Sequence, residues 1–225
     1  IGASLSLEGG PPELRLQLHA DPGAVLDGVS LMTETAFEPS AVTIRLPSSP
    51  EVSIPPSLDR PEFGAGPGDS LWRAPQNLLD ANAAGSPWLG MAADETVASE
   101  WIGDIEYTLV SVQSPVPSEV FSMWQALGGG DLRFYFSTAD GVSTFDENTV
   151  GLRDPEHAHF NWGFTAEGIW QVTLQASGEH VEYGVLTDTE TFTFSVGKIA
   201  AAVPEPSAAG WFGLALVVHL LRRKR

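Results

Sequence analysis

Two histidines one residue apart carry the clearest chemistry in this 225-residue chain, in the run Glu156-His157-Ala158-His159-Phe160-Asn161-Trp162-Gly163-Phe164. In an extended strand, residues i and i+2 point to the same face. His157 and His159 would then project side by side, close enough to hold one metal ion, with Asn161 on that face too. Neutral imidazole suits zinc, manganese, iron, nickel or copper, and two imidazoles do not complete a coordination shell. His19, Asp21, Glu156 and His180 are the candidates for the remaining ligands, and His19 is assigned as the third. Zinc or manganese is the expected ion. The structural alternative is two half-exposed histidines that hydrogen-bond strand ends. Phe160, Trp162 and Phe164 are expected in the core rather than around a ligand.

Other chemistries lack their residues. There is no cysteine, so disulfides and thiolate catalysis are excluded. No Gly-x-Ser-x-Gly, His-Glu-x-x-His, P-loop or Gly-x-Gly-x-x-Gly pattern occurs. Carboxylates are plentiful, but no spacing marks any two as a glycosidase pair. A non-enzymatic protein is expected.

The charge balance narrows the partners. Of 11 basic residues the last four positions hold four, and of 29 acidic residues Glu205 lies in the tail. Residues 1–203 therefore carry 7 basic against 28 acidic side chains. Such a surface repels phosphate backbones, which argues against nucleic acid, and it keeps a protein soluble or attracts cations.

The elements that must position the histidines read as strands. Leu14 to His19 and Val42 to Leu46 alternate apolar and polar residues. Ile105 to Val112, Val120 to Trp124, Leu132 to Ser137, Ile169 to Ala176 and Thr191 to Val196 continue the series. Turn signals stand at Gly128-Gly129-Gly130, Ala139-Asp140-Gly141, Ala166-Glu167-Gly168 and Ser177-Gly178. No long helical period precedes the tail. The expected fold is all-β, an antiparallel β-sandwich of immunoglobulin-like or similar type, over residues 1–197. Residues 47–100 are rich in proline and glycine and contain Trp72 and Trp88. They are expected as a long ordered loop with short helical turns, or as a linker between sub-domains.

Residues 198–203 read as a linker, and 204–225 as a tail in three parts. Pro204-Glu205-Pro206 breaks any preceding strand or helix. A run of 14 residues from Ala208 to Leu221 follows, with Trp211, Phe212, Leu214, Leu216, Val217, Val218, Leu220 and Leu221 as its apolar body. It predicts a hydrophobic helix shorter than the roughly 20 residues of a stable span. Arg222-Arg223-Lys224-Arg225 then forms a basic stop that stays on the cytoplasmic side. This order resembles a PEP-CTERM sorting signal. The resemblance implies an exosortase as processing partner, a transient anchor in the inner membrane of a Gram-negative bacterium, and cleavage near Glu205. It further implies delivery to the cell surface or extracellular matrix, in association with extracellular polysaccharide and biofilm. The chain starts at Ile1 with no leader, so an export signal peptide is expected to have been removed or to lie upstream.

The body resembles a second family. His157 to Thr165, followed by Glu167-Gly168-Ile169-Trp170-Gln171-Val172-Thr173, is similar to the surface-anchored domain called choice-of-anchor M and to the actinobacterial surface-anchored repeat domain. Asp188 to Val196 matches the family's last strand, and Trp72-Arg73-Ala74-Pro75-Gln76 matches its middle loop more weakly. Trp170 replaces the usual tyrosine. A Gly-His-x-Asp element that normally precedes the first strand is not found, and Ile1 would fall just after it. The resemblance implies a surface capture or relay role beside metal transporters, with metal binding at His157 and His159. The alternative function is a structural or adhesive component of the extracellular matrix, which would not need the histidine pair.

Overall fold

The computed structural model describes residues 1–7, 11–49, 51–55, 59–142 and 148–198. The sorting motif, the apolar run and the basic stop lie outside the described residues. Among those described, no helix is long and apolar enough to cross a membrane.

The chain is mostly β. In order, the strands are β1 (Gly2–Ser6), β2 (Glu13–Ala20), β3 (Val25–Leu26), β4 (Val29–Ser30), β5 (Thr35–Phe37) and β6 (Thr43–Leu46). Next come β7 (Glu51–Ser53), β8 (Ser70–Ala74), helix α1 (Leu78–Ala84), β9 (Gly90–Ala92), β10 (Trp101–Gln113) and β11 (Phe121–Gly128). The last are β12 (Asp131–Ser137), β13 (Thr149–Leu152), β14 (His157–His159), β15 (Asn161–Phe164), β16 (Gly168–His180) and β17 (Gly184–Val196). They form three five-stranded sheets, ordered β14-β9-β1-β2-β5, β13-β10-β16-β17-β6 and β12-β11-β15-β8-β7, with β3-β4 as a separate hairpin.

Every strand read from alternation is present, and most extend further than the apolar pattern alone marks. Two pairings are parallel, β1 with β9 and β6 with β17, so the expectation of a purely antiparallel arrangement is corrected. Parallel neighbours need long connections, and residues 47–100 supply part of them. That segment is not a linker. It contributes β7 and β8 to one sheet and β9 to another, and it buries Leu71, Ala74, Leu89, Met91 and Ala93. Its strands are three to five residues long, too short for periodicity to reveal.

One hydrophobic cluster joins the three sheets. Trp162 and Phe164 on β15 meet Phe194 on β17 with ring centroids 5.7 and 5.2 Å apart, and Phe164 meets Trp170 on β16 at 5.3 Å. Phe160, Trp162 and Phe164 are all fully buried, as their alternation with small residues implies. The indole N–H of Trp170 donates to the Ala166 carbonyl at 3.0 Å and so ties β16 to backbone four residues upstream.

The turn expected at Ser177-Gly178 is not there. Both residues lie inside β16, paired with Thr187 and Leu186, and the chain reverses at residues 181–183. Gly178 is required for close packing rather than for a turn. A Cβ at this position would sit 2.5 Å from Ile105 Cδ1 and 2.8 Å from Trp101 Cε3, where β10 breaks register against β16. Gly178→Ala should therefore destabilise the protein by about 1–3 kcal/mol, the usual cost of overpacking a tight core. Urea denaturation of the variant against the parent chain measures it, and an unchanged midpoint would show that the β10 bulge yields freely.

Candidate functional site: a histidine and carboxylate cavity

The site lies on the outward face of the β14-β9-β1-β2-β5 sheet. On β2, Leu14 and Leu16 are buried in the core, so alternation turns Arg15, Gln17 and His19 to the other side. On β9, Met91 is buried in the core, leaving Gly90 and Ala92 on the outer face. On β14, Ala158 packs toward the core while His157 and His159 point outward together. The pairing of β14 with β9 sets His157 opposite Ala92 and His159 opposite Gly90.

The middle of this face is made of small residues, and the histidines from the flanking strands fold over it. A Cβ on Gly90 would lie 2.9 Å from His157 Nε2 and 3.0 Å from His159 Nδ1. A Cβ on Gly2, which pairs with both Ala92 and Gln17, would lie 3.2 Å from His19 Cδ2. A larger residue at Gly90 would push both imidazoles away. Tyr107 on β10 anchors this floor from the core side, its hydroxyl donating to the Ala92 carbonyl. Burial of that hydroxyl raises its pKa, so it stays a donor.

The resulting cavity has a volume of about 190 Å³ and is lined by His19, His157 and His159 together with Asp21, Glu34, Asp94 and Glu95. All three histidines assigned from sequence thus meet in one place although His19 and His157 are far apart in the chain. Asp21 follows the end of β2. Glu34 precedes β5, which pairs with β2 so that Thr35 faces Ala20. Asp94 and Glu95 follow β9.

Hydrogen bonding fixes the imidazoles. His157 Nδ1 lies 3.3 Å from Asp94 Oδ2. His159 Nδ1 lies 3.2 Å from the Leu89 carbonyl, which can only accept, so Nδ1 carries the proton in neutral His159 and Nε2 keeps its lone pair. His19 Nδ1 lies 3.4 Å from Glu34 Oε1 and 4.0 Å from Glu95 Oε1, while its Nε2 is buried with no hydrogen-bond partner among the described residues. His19, Glu34 and Glu95 each offer a ligand atom within 4.8 Å of the other two. His157 and His159 stack with ring centroids 4.9 Å apart, and Trp88 covers the other side of His159 at 3.4 Å with planes 6° apart.

Three expected neighbours are not in this cavity. Asn161 does not share the histidine face, because the chain passes from one sheet to another at Phe160 and β15 belongs to the second. Asn161 is instead buried, its side chain bonded to the Gln76 N–H and to the Trp124 carbonyl. Glu156 accepts from the Arg153 N–H at 2.8 Å in the turn before β14. His180 ends β16, where its Nδ1 accepts from the N–H groups of Glu182 and Tyr183. Conversely, Trp88 is visible in the sequence only as part of the 47–100 segment, and nothing there marks Glu34, Asp94 or Glu95. They stand near strand ends, and a chain this acidic offers many such carboxylates.

The chain matches no protein-family model, no curated protein and no solved structure.

Burial lowers the His159 pKa; the Leu89 carbonyl opposes this and His157 adds to it. A depressed imidazole pKa means the unfolded chain binds the proton more tightly. His159 therefore contributes stability above its ordinary value of 6.5, and that contribution is lost as pH falls from there through the lowered folded value. In chelator-treated protein, His159→Gln should flatten the decline of Tm below that pH relative to the parent chain. Parallel curves would show that His159 titrates alike in both states.

Proposed function

We propose that this protein is an exported, non-enzymatic surface module that captures a divalent transition metal, zinc or manganese, in the His19, His157 and His159 cavity. One observation carries the reading. Histidines from β2 and β14 converge over a glycine floor with four carboxylates, and His19 Nδ1 lies 3.4 Å from Glu34 and 4.0 Å from Glu95.

The residues fit such an ion. Imidazole and carboxylate oxygen are the donor set of zinc and manganese sites, and no thiolate biases it toward softer metals. His19, Glu34 and Glu95 would make the tightest three-ligand group, with His157 and His159 supplying lone pairs from the same cavity. Asp94 and the Leu89 carbonyl would act as outer partners that orient the rings and raise their basicity. The lowered pKa of His159 favours the neutral form a metal needs. The packing of β15 against β16 and β17 supports reading the body as an immunoglobulin-like sandwich, a rigid frame for such a site.

Delivery rests on the tail. Pro204-Glu205-Pro206, the apolar run and the basic end support processing by an exosortase from an inner-membrane precursor to the cell surface or matrix. A role as a structural or adhesive matrix component would use the same tail, but it leaves the convergent histidines without a purpose.

Calorimetric titration of the full chain with zinc and with manganese tests the metal reading. Binding should weaken roughly 10- to 100-fold in the His157→Ala/His159→Ala double variant and in His19→Ala, and comparably in Gly90→Ala, whose new methyl displaces the rings. No binding of either metal, or unchanged affinity across the variants, would return the protein to the matrix role. For the tail, alanines at Pro204, Glu205 and Pro206 should leave uncut precursor in the membrane fraction. Normal processing of that variant would sink the sorting reading.

A further inference from the structure

On the other side of the β14–β15 passage lies a larger cavity of about 520 Å³, walled by β7, β8, β11 and the start of α1. One wall is apolar. Ile54, Phe63, Leu71 and Trp124 form a small core of their own, with Phe63 edge-on to Trp124 at 4.9 Å. Gln76 and Asn77 also line the cavity, and the acceptor atoms of their amides are already used. Gln76 Oε1 accepts from the Ala126 N–H and from Asn161 Nδ2, which leaves its Nε2 free. Asn77 Oδ1 caps α1 by accepting from the N–H groups of Leu79 and Asp80, which leaves its Nδ2 free. Neither amide nitrogen has a partner among the described residues.

Arg73, on β8, lines the same cavity and is the decisive residue. Its Nε is buried without a hydrogen-bond partner, and among the described residues no carboxylate oxygen comes within 4.0 Å of its guanidinium. What sets Arg73 apart from the other basic residues is that buried Nε, since none of the described arginines or lysines has a carboxylate within that distance. A partly buried, unpaired guanidinium is costly to keep and calls for a charged acceptor. Burial also lowers its pKa, against the pull of Asp80, the one carboxylate residue lining the cavity.

We propose that this cavity binds a small ring compound bearing a carboxylate. The carboxylate pairs with Arg73, and the amides of Gln76 and Asn77 donate to further oxygens. Guanidinium matches a carboxylate with two parallel bonds, and the volume is that of an ordinary small-molecule site, enough for one or two rings. A hydroxylated ring and an apolar aromatic ring share this chemistry. The site uses none of the histidines, so it stands or falls apart from the metal reading.

Glucuronate and benzoate, each titrated into the full chain, test it, with glucose and benzamide as uncharged counterparts. At least one carboxylate should bind, with its counterpart weaker by about tenfold or more. Arg73→Gln should cost roughly 10- to 100-fold, the range for a charge-assisted pair. Asp80→Asn should act in the opposite direction and tighten binding several-fold, and it decides the matter should Arg73→Gln fail to fold. The stronger of the two carboxylates tells a sugar acid from an aromatic acid. Absence of binding by both, equal binding of the uncharged compounds, or indifference to both substitutions would overturn the proposal.

Discussion

The arrangement of both cavities depends on where the run from His157 to Phe164 changes sheets. A single strand through these residues would put His157, His159, Asn161 and Gly163 on one face. The chain instead leaves β9 at His159, turns through the buried Phe160, and joins β11 and β8 as β15. Phe160 is held by Tyr135 at a ring-centroid distance of 5.1 Å, and its N–H donates to the Leu89 carbonyl. Polar residues at the same spacing therefore end on two different sheets. The histidines open outward over one sheet, and Asn161 turns into a buried amide network with Gln76 and Trp124.

Two glycines set what the outer face can hold. Imidazole rings cannot lie flat across a strand that carries side chains, and Gly90 and Gly2 remove the obstruction where His157, His159 and His19 cross. The same economy operates at Gly163, where a Cβ would meet the Trp124 ring at 2.6 Å. Each gap is filled by a large ring from a neighbouring strand, so the sheet keeps interior packing while changing what it presents. The cost is low strand propensity at these positions, offset by the aromatic contacts that the gaps admit.

Alternation made the long strands legible, because β2, β10, β16 and β17 are 8 to 13 residues of half-buried backbone with a fixed period. The pairing of His157 with His159, and the burial of Phe160, Trp162 and Phe164, follow from the same rule. What stayed hidden has two physical causes. Strands such as β7, β8 and β9 are too short to show a period, and their existence is decided by partners far away in the chain. Glycine carries two meanings that one sequence does not separate. At Gly128 to Gly130 it makes the hairpin, with all three φ angles positive, whereas at Gly178 it makes room for Trp101 and Ile105. For the site, the histidines stood out by rarity, but Glu34, Asp94 and Glu95 could not, since carboxylates are the commonest charged groups here. Only the β2–β5 and β9–β14 pairings select them.

The acidity that obscured those carboxylates also shapes what the two cavities can attract. A strongly negative surface raises the local concentration of cations and disfavours anions at long range, but that field fades within about a Debye length, near 8 Å at physiological salt. The histidine cavity works with this field: its carboxylates face solvent and its imidazoles sit among them. The Arg73 cavity works against it, so recognition there must come from contact. Its guanidinium is partly withdrawn from water, which strengthens the attraction it can exert at short range, and Asp80 is the carboxylate that competes for it. Trp88 lies between the two, stacked on His159 and donating its indole N–H to the Gln76 carbonyl at 2.8 Å. The residue that steadies one imidazole thus also holds the backbone that presents the donors of the other cavity, and the two recognition chemistries share a single rigid support.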